Sequence, residues 1–250
     1  GFLFAYCPER INPGDAVWDV RTIPRVLGAA GLKSRKRAHA LYSDLIEAPI
    51  HLMENVKEAE AVKITENSFR DINIAFVNEL AMSFKKLGID IEHVLEGAAT
   101  KPFGFMPHHP SCGVGGHCIP VDPYYLTWRA KMNGCEPRLI ELAGHINSQM
   151  PGFTVLSIAD ALNERRKCLR GANILGLGIT YKRDTNDVRE SPAVHVLEAL
   201  RKKGASIYYS DPHVSSISIA GQTLNSVELT AELLQSMDCV AVLTDHSSFD

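Results

Sequence analysis

Eleven residues, His108–Cys118, read HHPSCGVGGHC and bring together three histidines and two cysteines. Side chains of these types either hold a metal or expose a reactive sulfur. A zinc site would draw on His108 or His109, Cys112, His117 and Cys118, but structural zinc takes its ligands in pairs two to four residues apart from two separate knuckles. Only one cluster exists here, and its adjacent residues point apart. The nucleophile reading selects Cys118. Gly115 and Gly116 just before it let backbone and ligand approach closely. Asp122-Pro123 just after it reads as an N-cap and first helical residue, and a helix N-terminus lowers a thiol pKa. A buried, inert cysteine is the third reading. Local evidence leaves all three open.

A second constellation is Lys63, Asn67 and Arg70, at i, i+4 and i+7, which places them on one helix face. A solvated stripe would look the same, although asparagine is an indifferent helix former. A lysine one turn from an asparagine also makes a pair of donors suited to a developing oxyanion. A third is Gly176-Leu177-Gly178 after an apolar run, with Asp211 ending the next one. It imitates a dinucleotide fingerprint, but Tyr181 stands where the third glycine belongs and Asp211 lies too far along.

The elements that must position these groups follow from periodicity. Phe2–Tyr6 is expected to be a buried strand stopped by Pro8, and RINPGDAVW a loop with a Pro-Gly turn. A helix is expected around Arg35–Ile46 and a strand near Pro49–Met53. Residues Glu58–Leu87 lack Gly and Pro and space Val62, Phe69, Ile72, Phe76, Leu80 and Phe84 as one long helix. A Gly/Pro-rich loop from Gly97 to Pro123 is long enough to be functional. Helices are expected from Asp122 to about Asn133 and over Glu136–Lys167, with a break or new start at Pro151. From Ala172 the pattern becomes strand (ANILGLGITYK), helix (SPAVHVLEALRKKG), strand (ASIYYSDP) and a later strand (DCVAVLTDH), a parallel α/β unit.

The 250 residues are 45% hydrophobic, enough for one sizeable core and more. A net charge of −3 carries no nucleic-acid signature, and KSRKR at Lys33–Arg37 reads as a solvated helix start. No apolar run approaches the ~20 residues of a membrane span, and no signal peptide is visible. The six cysteines are expected to be reduced thiols of a cytoplasmic protein. Both ends interrupt β-prone runs, so a longer parent chain is expected.

Four segments in order, YCPERINPGD, AEAVKITENSFRDINIAFVNELA, GVGGHCIPVDPYYLTW and GITYKRDTNDVRESPA, resemble the nucleotide-sugar dehydrogenases of the UDP-glucose/GDP-mannose dehydrogenase family. The GGHCIPVDPYYLTW and PERINPGD variants look most like the branch acting on UDP-N-acetylhexosamines. UDP-glucose enzymes more often carry Phe where this chain has Ile119. HHPSCG departs from the usual pattern and leaves the role of His109–Cys112 open.

The resemblance implies an α/β protein. Residues 1–56 would end an N-terminal NAD-binding Rossmann domain, residues 57–166 form a helical dimerisation domain, and residues 167–250 begin a Rossmann-like UDP-sugar domain. It implies NAD-dependent four-electron oxidation of a sugar primary alcohol to a carboxylate, with Cys118 as the covalent centre. Lys63 and Asn67 would stabilise oxyanions, Asp122 would handle a water as base, and Glu9 would assist thioester hydrolysis. Arg10, Arg70, Lys101, Phe103, Phe105, Gly115, Tyr181 and Lys182 would contact the nucleotide sugar, and Gly116, His117 and Arg189 would approach NAD. The partners implied are a UDP-sugar and a second copy docked through the long helix, with no metal, nucleic acid or membrane. A UDP-glucose or UDP-N-acetylmannosamine enzyme, an inactive nucleotide-sugar-binding unit and a zinc module are the alternatives.

Overall fold

A computed structural model describes residues 2–12 and 17–249. The Pro-Gly turn expected in RINPGDAVW falls at 13–14, outside the described residues. The chain forms two compact units, Gly1–Phe69 and Arg70–Asp250.

The first unit holds a three-stranded sheet. Its centre is β2 (Arg25–Ala29), flanked by an antiparallel β1 (Ala5–Tyr6) and a parallel β3 (Ile50–Leu52). Helix α1 (Leu32–Leu45) connects β2 to β3. All five residues of β2 are buried, and Gly28 is required there, because a Cβ would lie 2.2 Å from the Asn55 carbonyl oxygen. The expectation of a buried strand over Phe2–Tyr6 is corrected. Only Ala5 and Tyr6 pair, and Phe2 is 95% exposed, because an edge position offers nothing to cover the residues before the pairing.

Helix α2 (Val56–Leu87) is one uninterrupted run of 32 residues, as its spacing predicts. Asn55 and Glu58 form its opening: the Glu58 N–H donates to Asn55 Oδ1, and Glu58 Oε2 accepts from Glu54 N–H. Helix α3 (Ile91–Ala99) follows, with Asp90 Oδ1 accepting from Glu92 N–H as its N-cap.

In the second unit, α4 (Asp122–Lys131) and α5 (Arg138–Glu164) pack together. Val121 occupies the N-cap of α4, so Asp122 is its first helical residue rather than its cap. The break expected at Pro151 does not occur; the proline lies inside α5. Its ring edge lies near Gly113, where an added Cβ would approach it to 3.4 Å, and the helix runs on with one ladder hydrogen bond fewer.

The α/β layer has strand order β5-β4-β8, all parallel, with β4 (Asn173–Leu177), β5 (Ser206–Ser210) and β8 (Cys239–Val242). Helix α6 (Pro192–Lys202) buries Val196, Leu197 and Leu200 against Val155, Ile158 and Leu162 of α5 and the sheet. Each contributes roughly 1.5–3 kcal/mol by area removed from water. A hairpin, β6 (Ser216–Ile219) and β7 (Gln222–Asn225), and a short α7 (Ala231–Ser236) complete the unit. Among the described residues no helix is long and apolar enough to cross a membrane.

Candidate active site

Cys118 sits in the turn just before α4, and its carbonyl accepts from the N–H groups of Val121 (3.1 Å) and Asp122 (2.8 Å). The thiol is exposed. The glycines before it are there for close approach. A Cβ on Gly115 would stand 2.7 Å from both the Glu190 carbonyl oxygen and Tyr181 Cβ. Gly116 has φ +84°, and a Cβ there would lie 2.9 Å from the Tyr181 ring. Gly116 N–H donates to the Arg189 carbonyl oxygen at 3.1 Å. The thiol turn and the 178–190 loop are therefore one packed assembly. It brings together Gly115, Gly116, Cys118, Tyr181 and Arg189, five positions that the sequence ranks as functional.

Arg189 does not reach out freely. Its Nε and Nη2 hold Asp187 at 2.6–3.1 Å. That ion pair keeps the Asp187 carboxyl below its usual range, and Arg189 also lies within electrostatic reach of Cys118. Lys182 is half-buried, and its carbonyl accepts from the hydroxyls of Thr180 and Thr185. Lys101 Nζ stands 5.1 Å over the exposed Phe103 ring, a cation–π pair on the loop that also carries Phe105. His117 is exposed and Asp122 half-buried.

In the first unit, Lys63 and Asn67 lie one turn apart on α2, half-buried and buried respectively. Arg70, the next position in the series, is the first residue of the second unit and is exposed. Arg10 is committed: Nη2 pairs with Glu66 Oε1 at 2.6 Å and Nη1 donates to the Pro24 carbonyl. Glu9 Oε1 accepts from the N–H groups of Arg10 and Ile11 and from the buried Arg25. Burial pushes the Glu9 carboxyl up, but these donors outweigh it and hold it below its usual range. Such a carboxylate orients a water better than it stores a proton.

The zinc reading of the histidine–cysteine stretch is not supported. His109 Nδ1 meets Glu92 at 3.2 Å, His108 Nδ1 meets the Met106 carbonyl, and Cys112 is turned inward with its thiol toward the Leu243 carbonyl. Among the described residues the only convergence of three metal-type ligands is Asp184, His213 and His246, elsewhere in the unit.

The false fingerprint also resolves. β4 runs into the 178–190 loop rather than straight into a helix, and a Cβ on Gly178 would lie 2.1 Å from the Thr244 carbonyl oxygen. Asp211 faces no ribose. It accepts from Ile179, His213 and Val214 N–H and from His246 Nε2. The residues at this turn do not fit a dinucleotide; its second glycine serves packing.

Sequence reasoning missed a buried polar chain behind the loop. Asn147 Nδ2 donates to Asp71 Oδ1 at 2.7 Å, its Oδ1 accepts from Asn78, and Asn78 Oδ1 accepts from Ser111 N–H. Burial raises the Asp71 carboxyl. Asp71 and Asn147 line a cavity of about 240 Å³ with Gly113, Tyr124 and His195. The available signal was Asp71 and Asn78 at i and i+7 on one face of α2.

Fold and site together define a thiol-bearing loop set on a parallel α/β unit. Residues 57–149 match the central domain of the UDP-glucose/GDP-mannose dehydrogenase family, and residues 175–250 match its UDP binding domain. The chain belongs to that family. It is 40% identical over 215 residues to the UDP-N-acetyl-D-glucosamine 6-dehydrogenase of Pseudomonas aeruginosa, covering 86% of this chain and 50% of that protein. It is 35% identical over 248 residues to the UDP-N-acetyl-D-mannosamine dehydrogenase of Campylobacter jejuni, covering 98% and 59%. The solved UDP-D-ManNAc dehydrogenase of Pyrococcus horikoshii superposes with a TM-score of 0.88 at 33% identity, covering 99% of this chain and 56% of that one. The chain spans about half the length of the curated relatives it matches.

Alkylation tests the thiols. Burial pushes the Cys7, Cys112 and Cys239 thiols up, Cys112 to about 11. At pH 8 a thiol with that pKa is about one part in a thousand thiolate. Iodoacetamide should therefore label the exposed Cys118, Cys135 and Cys168 first and Cys112 last, its rate rising with pH toward 11. Labelling of Cys112 at pH 8 as fast as the exposed thiols would contradict its burial.

Proposed function

We propose that this chain is the thiol-bearing part of an enzyme that oxidises the primary alcohol of a UDP-N-acetylhexosamine to the carboxylate. The observation that carries the reading is the exposed Cys118, held on a glycine turn that packs against Tyr181 and Arg189 within a chain of this family. NAD, where bound, supplies the hydride acceptor, and Gly116, His117 and Arg189 are the positions proposed to face it.

The chain's own groups handle the carbon. The Cys118 sulfur adds to the aldehyde carbon, forming a C–S bond and an oxyanion, which Lys63 and Asn67 stabilise. Once this thiohemiacetal has been oxidised to the thioester, water attacks the acyl carbon. The C–S bond breaks, the thiolate leaves and the uronate forms. Asp122 serves as base and Glu9 orients the hydrolytic water, a division that suits Glu9's low proton affinity. Lys101, Phe103, Phe105, Tyr181 and Lys182, with Arg10, Arg70 and Gly115, form the nucleotide-sugar contacts.

The enzyme is proposed to be a cytoplasmic homodimer docked through α2. Phe76 on that helix is 52% exposed and in need of cover. Phe76→Glu should sediment as a monomer where the parent sediments as a dimer; an unchanged species would move the interface elsewhere.

Turnover assays on an active enzyme carrying these residues, with UDP-N-acetylglucosamine, its galacto and manno epimers and UDP-glucose, test the substrate class. Preference for a UDP-N-acetylhexosamine is expected. Preference for UDP-glucose would reassign it.

A further inference from the structure

We infer that His246 is a positioning residue of the proposed site, the buried peg that fixes the 178–190 loop and, through it, the Cys118 turn. The inference rests on the reading above that this loop meets the nucleotide sugar beside a reactive thiol.

The His246 side chain is fully buried. Asp184 donates its backbone N–H to Nδ1 at 2.9 Å, so Nδ1 is an acceptor and the ring proton is on Nε2. Nε2 faces Asp211 Oδ2 at 3.1 Å and Thr180 Oγ1 at 3.2 Å. The Thr180 hydroxyl spends its own proton on the Lys182 carbonyl, leaving its lone pairs to accept from the ring. One neutral imidazole thus grips both ends of Thr180–Asp184 and ties them to Asp211 at the end of β5.

The surrounding groups reinforce the grip. Asp184 sits at φ +55°, a strained conformation for a non-glycine residue, and its carboxylate accepts from Ser247 N–H and Oγ. Arg183 reaches Asp245, and Thr244 Oγ1 donates to the Thr180 carbonyl. His213 and Phe249 close the ring edge-on.

Asp184, His213 and His246 place ligand-type atoms within 4.8 Å of one another, yet this is not a cation site. The Nδ1 lone pair is taken by a backbone N–H and Nε2 by its proton.

From this peg the contacts run outward without a gap. The loop continues through Tyr181, whose N–H donates to the Asp187 carbonyl, to Arg189, whose carbonyl holds Gly116 N–H. The Tyr181 side chain lies against Gly115 and Gly116, three and two positions before Cys118. Releasing His246 should therefore loosen two segments distant in sequence and leave the sheet intact.

Amide hydrogen exchange and UDP titration on the parent chain, His246→Ala and His246→Gln, at a temperature well below each unfolding midpoint, test this. In His246→Ala, exchange over 180–189 and over 115–118 should quicken by about tenfold or more while β4 and β5 keep their protection. UDP should bind about tenfold more weakly. His246→Gln keeps an N–H toward Asp211 and Thr180 and should recover both to within about threefold. If His246→Ala does not fold, the near-isosteric Thr180→Val takes its place with the same expected pattern.

Unchanged exchange at 115–118, or a uniform rise across the whole unit, would overturn the positioning role. If the parent itself does not bind UDP, the nucleotide-sugar reading fails, while the exchange pattern still decides the role of His246.

Discussion

In an active enzyme carrying this chain, Cys118→Ser should lower steady-state turnover by roughly three orders of magnitude or more, the scale on which loss of a nucleophile acts. A serine hydroxyl is far less ionised than a thiol near neutral pH and attacks an aldehyde poorly. Any oxygen ester formed after oxidation would also hydrolyse more slowly than a thioester. Binding should survive, because the two side chains are nearly isosteric and the turn is set by Gly115, Gly116 and the carbonyl of residue 118 rather than by its sulfur. Parallel measurement of turnover and of UDP-sugar affinity by titration checks both halves. Turnover within about tenfold of the parent would dismiss covalent catalysis at this position.

Lys63→Ala should reduce the turnover rate by about 10²–10³ while changing the Michaelis constant little. An oxyanion donor acts on charge that exists only in the tetrahedral species, so its loss raises the barrier without weakening the ground state. Asn67, one turn along α2 and 2% exposed, should behave alike, with an added stability cost because its side chain is buried. Steady-state kinetics at saturating NAD separate the cases. An effect confined to the Michaelis constant would assign Lys63 to ground-state binding.

The readability of these features in the sequence varied with how local their causes are. The long helix α2 was legible because 30 residues without Gly or Pro repeat an apolar period. The β4–α6–β5 unit was legible because Gly204, at φ +94°, closes its helix where the pattern stops. Strand β2 gave little signal: it is five residues long, opens on Arg25 and contains Gly28. Its burial comes from neighbours on both sides and from the Asn55 carbonyl, all distant in sequence.

The proline in α5 misled because the loss of one ladder hydrogen bond does not end a helix of 27 residues. At the site, Cys118 and the two glycines were visible as residue types. Their partnership with Tyr181 and Arg189 depends on a loop more than 60 residues downstream. Arg10 and Arg189 look like free cations in the sequence, and each is already engaged, by Glu66 and by Asp187. His246 carried no motif, because its role lies in bonds to Thr180, Asp184 and Asp211 that only the fold assembles.

The central claim, a covalent sugar adduct on Cys118, is tested most directly by acid-quenched peptide mass mapping of an active enzyme carrying Glu9→Gln, in which hydrolysis should be slowed. During turnover of UDP-N-acetylglucosamine with NAD, the peptide containing Cys118 should gain the mass of the acylated nucleotide sugar and lose it again on treatment with hydroxylamine. Uronate accumulating while Cys118 stays unmodified at every quench time, or an adduct on any of the other five cysteines instead, would contradict it.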